Sequence, residues 1–178
     1  MDLSKNFFQI FNLPEAYDVD LSVVTEIYRE LQKNLHPDKF VNATDKEKLF
    51  SVQLTSYVNE ALETLKSPLK RGLYLMKLWG REVDLEKNTA MSPDFLMTQM
   101  ELREELEAIP KKTDPEDAYD AFMEHLQKEI KLLQTQFANC LVSSEQADLE
   151  KGEELARKLT FLEKLDEEAQ KVESQIFD

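Results

Sequence analysis

Apolar positions recur along most of the chain at intervals of three and four, the spacing that gathers them on one face of an α-helix. Val24, Ile27, Tyr28, Leu31 and Leu35 form one such stripe, opened by Asp20, whose short carboxylate suits an N-cap. Phe50, Leu54, Tyr57, Val58, Ala61 and Leu65 form a second. Between them His36-Pro37-Asp38 interrupts the pattern, because proline disfavours helical geometry in the residue before it. The polar run Asn42-Ala43-Thr44-Asp45 extends the break. The two stripes predict an antiparallel helical hairpin, each helix burying the other, with the proline loop exposed at its tip. Ahead of them, Asn6 to Phe11 reads as a short aromatic packing helix stopped by the Asn12-Leu13-Pro14 turn.

Three Ser-Pro or Asp-Pro pairs then punctuate the chain, each in the favoured order of cap residue followed by proline at the first helical position. Ser67-Pro68 starts a helix that runs to Leu78 and stops at Trp79-Gly80, with Trp79 expected to be a packing plug. Ser92-Pro93 starts one that reaches Ile109, before Pro110. Asp114-Pro115 starts a third, with Asp117 placed as the acidic partner of a capping box and Tyr119, Phe122, Leu126, Ile130, Leu133 and Phe137 as its stripe. After a turn at Ser143-Ser144, a last helix carries Leu155, Leu159, Leu162, Ala169, Val172 and Ile176. The prediction is an all-α chain with two domains: residues 1–78, a charged linker 79–91, and an antiparallel three-helix bundle over 92–178. One continuous coiled coil is the structural alternative, which the regular prolines oppose.

Composition narrows the function. Net charge is −14, spread unevenly: 9 Lys/Arg against 11 Asp/Glu in residues 1–75, but 13 against 25 in residues 76–178. Such a field opposes nucleic-acid binding and adhesion to anionic membranes, and leaves open attraction to a basic protein partner. No apolar run is long enough to span a bilayer, and Met1-Asp2-Leu3-Ser4 has no signal-peptide character, so a cytoplasmic location is expected. Cys140 is the sole cysteine, so neither an intrachain disulfide nor a thiolate metal cluster is expected; Phe137 to Val142 reads as a buried helix end. His125 sits in an acidic helical segment without a second ligand at metal-binding spacing, and no phosphate-cradling or dinucleotide glycine motif occurs. No catalytic site, metal or cofactor is predicted.

Two surfaces remain that packing alone leaves unexplained. In the His36-Pro37-Asp38-Lys39-Phe40 loop, an imidazole, a rigid proline and a carboxylate together suit docking to an arginine or to polar backbone groups of another protein. A plain helix-breaking connection would show the same residues. On the helix after Pro93, Phe95, Leu102, Leu106 and Ile109 share the core face, whereas Met97, Met100, Glu101, Glu104 and Ala108 gather nearly opposite and Leu96 borders both. That second face is either a methionine-bearing docking patch or covered by the bundle. Phe161 lies about 120° from the line of Leu155, Leu159 and Leu162, at ~100° of rotation per helical residue. Either local packing absorbs it or it joins Met97 and Met100 in one composite patch.

Helix, His36-Pro37-Asp38 loop, antiparallel helix and Ser67-Pro68-Leu69-Lys70-Arg71 together resemble a J domain. The likeness continues through Phe95-Leu96-Met97, Glu101-Leu102-Arg103-Glu104-Glu105-Leu106 and Arg157-Lys158-Leu159-Thr160-Phe161-Leu162, a full-length combination similar to the HscB family of J-type co-chaperones. The resemblance implies an L-shaped pairing of a J domain with a C-terminal three-helix domain. It implies a protein that is no ATPase itself but brings an IscU-type iron–sulfur cluster scaffold to the Hsp70-class chaperone HscA and stimulates that chaperone's ATP hydrolysis. It assigns chaperone binding to His36, Pro37 and Asp38, supported by Arg29, Lys33 and Lys39, with Glu26 and Glu30 interrupting the positive face. It assigns scaffold binding to Leu96, Met97, Met100, Glu101, Glu104 and Phe161. Where many relatives carry a further acidic residue this chain has Ala108, which removes one polar contact. The absence of an N-terminal cysteine-rich extension favours a bacterial-type form. A J protein serving another client, or a helical adaptor without chaperone activity, are the alternative readings.

Overall fold

The computed structural model describes residues 4–35, 39, 43–85 and 91–177, and every regular element among them is helical. The chain separates into two compact units, Met1–Arg81 and Glu82–Asp178.

In the first unit, α1 (Phe7–Ile10) is closed by an Asn6–Gln9 capping box. Asn12 then takes a left-handed φ of 51°, which lets the amides of Asn12 and Leu13 reach back to the Gln9 and Phe8 carbonyls and end the helix. The helices α2 (Leu21–Leu35) and α3 (Asp45–Lys66) form the hairpin. Their antiparallel register is fixed by polar pairs across the seam: Tyr28 Oη donates to Asn59 Oδ1 at 3.0 Å, Gln32 Nε2 reaches the same oxygen at 2.8 Å, and Ser51 Oγ meets the Leu35 carbonyl. Val24, Leu54, Val58, Ala61 and Leu65 fill the seam between them.

Phe50 departs from its expected place in the buried stripe: it is exposed, beside exposed Leu49 and Val52. The register explains this. Leu35, the last residue of α2, lies level with Ser51, so Phe50 falls beyond the end of the α2 surface that could cover it.

The helix α4 (Pro68–Leu78) follows Ser67, whose side chain accepts the Lys70 amide. It closes the core through Leu69, Leu75 and Met76, and Phe7 stacks on Tyr74 at 4.3 Å between ring centroids. Gly80, at φ 85°, ends α4 with Gly80 and Arg81 amides bonded to the Lys77 and Met76 carbonyls, a turn that needs the left-handed conformation glycine supplies. Trp79 is the C-cap residue and is half-buried. Buried Arg71 crosses the unit: Nε donates to the Tyr17 carbonyl at 2.7 Å and Nη1 to the Leu65 carbonyl at 2.5 Å. It thereby satisfies a carbonyl at the end of α3 that the helix leaves open and ties the loop before α2 to it. Its guanidinium also covers the Tyr17 ring.

The second unit is an up-down-up bundle. Its helices are α5 (Pro93–Ala108), a single 3-10 turn at Ile109–Lys111, α6 (Pro115–Cys140) and α7 (Gln146–Phe177). Ser92 and Asp114 cap as their sequence positions predict, accepting the amides of Phe95 and Asp117. The helices α6 and α7 pack antiparallel along most of their length, with Gln127 bonded to Asp166 and Tyr119 edge-on to Phe177. Leu102, Leu106 and Ile109 bring the chain between α5 and α6 into the same core, with Phe122, Leu126, Phe137, Leu159, Leu162 and Leu165. Cys140 ends α6, buried, and that burial raises its thiol pKa.

Candidate functional site

The residues singled out in the sequence fall in two places, one in each unit. His36, Pro37 and Asp38 lie outside the described residues; what is described is their setting. The helix leading to them ends at buried Leu35, whose carbonyl is held by Ser51 Oγ on α3. A buried hydroxyl that fixes the end of α2 fixes the point from which the connection to α3 departs. On the other side Lys39 Nζ donates to Asn34 Oδ1 at 3.2 Å. Where α3 starts, Thr44 and Glu47 form a reciprocal capping box. The backbone amide and then the hydroxyl of Thr44 hold the Glu47 carboxyl below its usual pKa. Arg29 and Lys33 are exposed one turn apart on α2, and Glu26 and Glu30 are exposed with them, so this face carries both signs of charge.

In the second unit, α5 leaves a large apolar surface in solvent. Leu96, Met97 and Met100 remain 47%, 61% and 63% exposed, and Glu101, Glu104 and Ala108 are exposed too. The opposite face buries Leu102 and Leu106. The bundle therefore does not cover the methionine face, which was one of the two outcomes open from sequence. Unbranched methionine side chains adapt to irregular partner surfaces, and flanking carboxylates orient such contacts.

Phe161 is not part of that exposed surface. It is only 9% exposed, on α7, with its ring edge-on to Phe95 of α5 at 5.9 Å and 84°. The Arg103 guanidinium lies 5.2 Å above its ring. Its offset from the α7 core line turns it toward α5, so local packing against Phe95 and Arg103 absorbs it. Arg103 is the residue the periodicity argument passed over. Its signal was its spacing, seven residues after Leu96 and three after Met100, which puts it on the exposed face among apolar side chains.

A cleft of about 330 Å³ opens beside the first turn of α5, lined by Met91, Ser92, Glu150, Glu154 and Lys158 among others. Lys158 there is paired with Glu154 at 2.5 Å and sits over the Phe95 ring. His125 is exposed on α6. Among the described residues no three His, Cys, Asp or Glu side chains converge as a metal site, and no helix is long and apolar enough to cross a membrane. What α5 presents to solvent is an apolar centre with an acidic border on a helix anchored by its other face.

Comparison with known proteins agrees over nearly the whole chain. Residues 91–170 match the family described as the HSCB C-terminal oligomerisation domain. A co-chaperone protein HscB homolog of Shewanella halifaxensis is 41% identical over 177 residues, spanning 97% of this chain and 99% of the relative. Among solved structures, the chaperone HscB from Vibrio cholerae superposes with a TM-score of 0.88 at 37% identity, covering 97% of this chain and all of that one. The human co-chaperone protein HscB gives 0.85 at 28% identity, covering 97% and 84%. With both the helical hairpin and the three-helix unit matched in one continuous likeness, the chain belongs to the HscB family, J-type co-chaperones of iron–sulfur cluster biogenesis that stimulate ATP hydrolysis by an Hsp70-class partner.

Proposed function

We propose that this protein delivers an IscU-type iron–sulfur scaffold to an HscA-type Hsp70 in the cytoplasm. In this reading residues 1–78 dock on the chaperone and residues 92–178 hold the scaffold, joined by the linker 79–91. The observation that carries the scaffold half is the solvent-facing row of Leu96, Met97 and Met100, bordered by Glu101 and Glu104, on a helix whose other face already fills the core. An apolar row this exposed favours association, since covering it removes hydrocarbon from water. The carboxylates suit a partner with basic groups around its apolar contact.

The chaperone half rests on His36, Pro37 and Asp38, with Arg29, Lys33 and Lys39 beside them. The Asp38 carboxylate supplies a charge-assisted acceptor for a partner cation, which a neutral side chain of the same size would not. Two partners held by separate units explain how one chain brings a folded client to an ATPase. The test is steady-state ATP turnover of the Hsp70 with this protein alone, with the scaffold alone, and with both. Delivery predicts stimulation by the protein alone and a further, more than additive rise with both. Stimulation that ignores the scaffold would indicate a J protein for a different client, and no stimulation at all a helical adaptor.

A further inference from the structure

The geometry points to Arg103 as a positioning residue for the partner-binding face of α5, clamping the patch-bearing half of that helix onto α7 through Phe161. This inference rests on the scaffold-binding reading of Leu96, Met97 and Met100 and adds to it a residue that holds them in place.

The buried residues of α5 are Leu102 and Leu106, both in its second half. The first half, which carries Leu96, Met97 and Met100, places no residue fully in the core. Half-buried Phe95 packs edge-on against Phe161 of α7. Each of these perpendicular rings is faced by a cation that is itself tied to a carboxylate. Arg103 lies 5.2 Å over Phe161 and 3.5 Å from Glu168 on α7. Lys158 lies 5.6 Å over Phe95 and 2.5 Å from Glu154. The two devices differ in what they join. Lys158 crosses from α7 to the Phe95 ring of α5 but takes its carboxylate, Glu154, from its own helix, whereas Arg103 reaches from α5 to both an aromatic ring and a carboxylate of α7. Arg103 itself stands in the second half of α5, beside buried Leu102, and it reaches the patch-bearing half through Phe161, on which Phe95 packs.

A planar guanidinium can lie on a ring face while its edge donates to a carboxylate, so one side chain makes both contacts. With its head turned to α7, Arg103 also leaves Glu101 and Glu104 available to a partner. Phe161 then acts on binding from below, by fixing where α5 sits, without touching the partner.

The test uses the full chain and calorimetric titration with an IscU-type scaffold. Arg103→Ala is expected to weaken binding about fivefold, in line with the modest strength of half-exposed cation–ring and ion-pair contacts. Arg103→Lys, which keeps a cation over the ring, is expected to stay within about twofold of the parent. Thermal midpoints should be unchanged, while amide exchange at residues 95–100 speeds up in Arg103→Ala and that at 104–108 does not. The triple variant Leu96→Ala/Met97→Ala/Met100→Ala, made in parallel, tests the underlying reading. If the triple variant loses affinity but Arg103→Ala binds as tightly as the parent or more tightly, the clamp is wrong and Arg103 is passive or a cover. If Arg103→Lys loses as much as Arg103→Ala, the guanidinium touches the partner directly and the positioning role is likewise wrong. If the triple variant binds normally, the scaffold-binding reading fails first.

Discussion

Truncating Leu96, Met97 and Met100 together to alanine should separate binding from folding. These side chains leave roughly half or more of their surface in solvent, so the fold gains little from them. Full burial of a Leu or Met side chain is worth about 1.5–3 kcal/mol. A partner that covers the exposed half or more of each recovers about 1 kcal/mol per residue, or about 3 kcal/mol for three. That corresponds to roughly a hundredfold loss of affinity. Glu104→Gln, by contrast, alters a border charge in high dielectric and should cost no more than about fivefold. Calorimetric titration with the scaffold reads both, after circular dichroism melts establish that each variant unfolds at the parent temperature. Stimulation of the Hsp70 without scaffold should be retained in both variants. The reasoning is refuted if the triple variant binds within a few-fold of the parent, or if Glu104→Gln is the more damaging change.

Arg71→Met should destabilise the first unit by about 3 kcal/mol, because removing the guanidinium leaves the buried Leu65 carbonyl and the part-buried Tyr17 carbonyl without their donor. Amide exchange read separately for residues 7–78 and 92–177 should show the loss in the first set only. The Glu47 carboxyl, lowered below 4.5 by its bonds to Thr44, stabilises the start of α3 in its ionised form. That contribution is present above its unfolded pKa and disappears as pH falls through the lower folded value. Acid titration followed by NMR at Thr44 and Glu47 should show the first turn loosening in that window, and Glu47→Gln should abolish the pH dependence. Cys140, buried with its thiol pKa raised, should react with a maleimide far more slowly in the native protein than in urea, as a mass-spectrometric time course can measure.

Much of the fold was legible because its punctuation is local. Ser67-Pro68, Ser92-Pro93 and Asp114-Pro115 begin helices one residue after the cap, and the Gly80 turn ends one where a left-handed residue is needed. Periodicity also separated the methionine face from the core face of Leu102 and Leu106, but left open whether the bundle covers it; the fold leaves it exposed. Spacing could not say what covers a residue from elsewhere in the chain. Phe161 disappears under Phe95 and Arg103, more than fifty residues earlier, and Phe50 is left uncovered because α2 stops level with Ser51. Arg71 was legible as part of a family signature, but its burial depends on a carbonyl at Tyr17 that no spacing rule reveals.

If one chain joins a chaperone-stimulating unit to a client-holding unit, Asp38→Asn should disable the first and spare the second. Single-turnover ATP hydrolysis by the Hsp70 should be measured with the parent and the variant, with and without scaffold, at matched chaperone occupancy. Asp38→Asn is expected to bind scaffold with parental affinity while its stimulation falls to near the unstimulated rate, because one acceptor charge has been removed from the other unit. Full stimulation by folded Asp38→Asn protein would contradict that expectation.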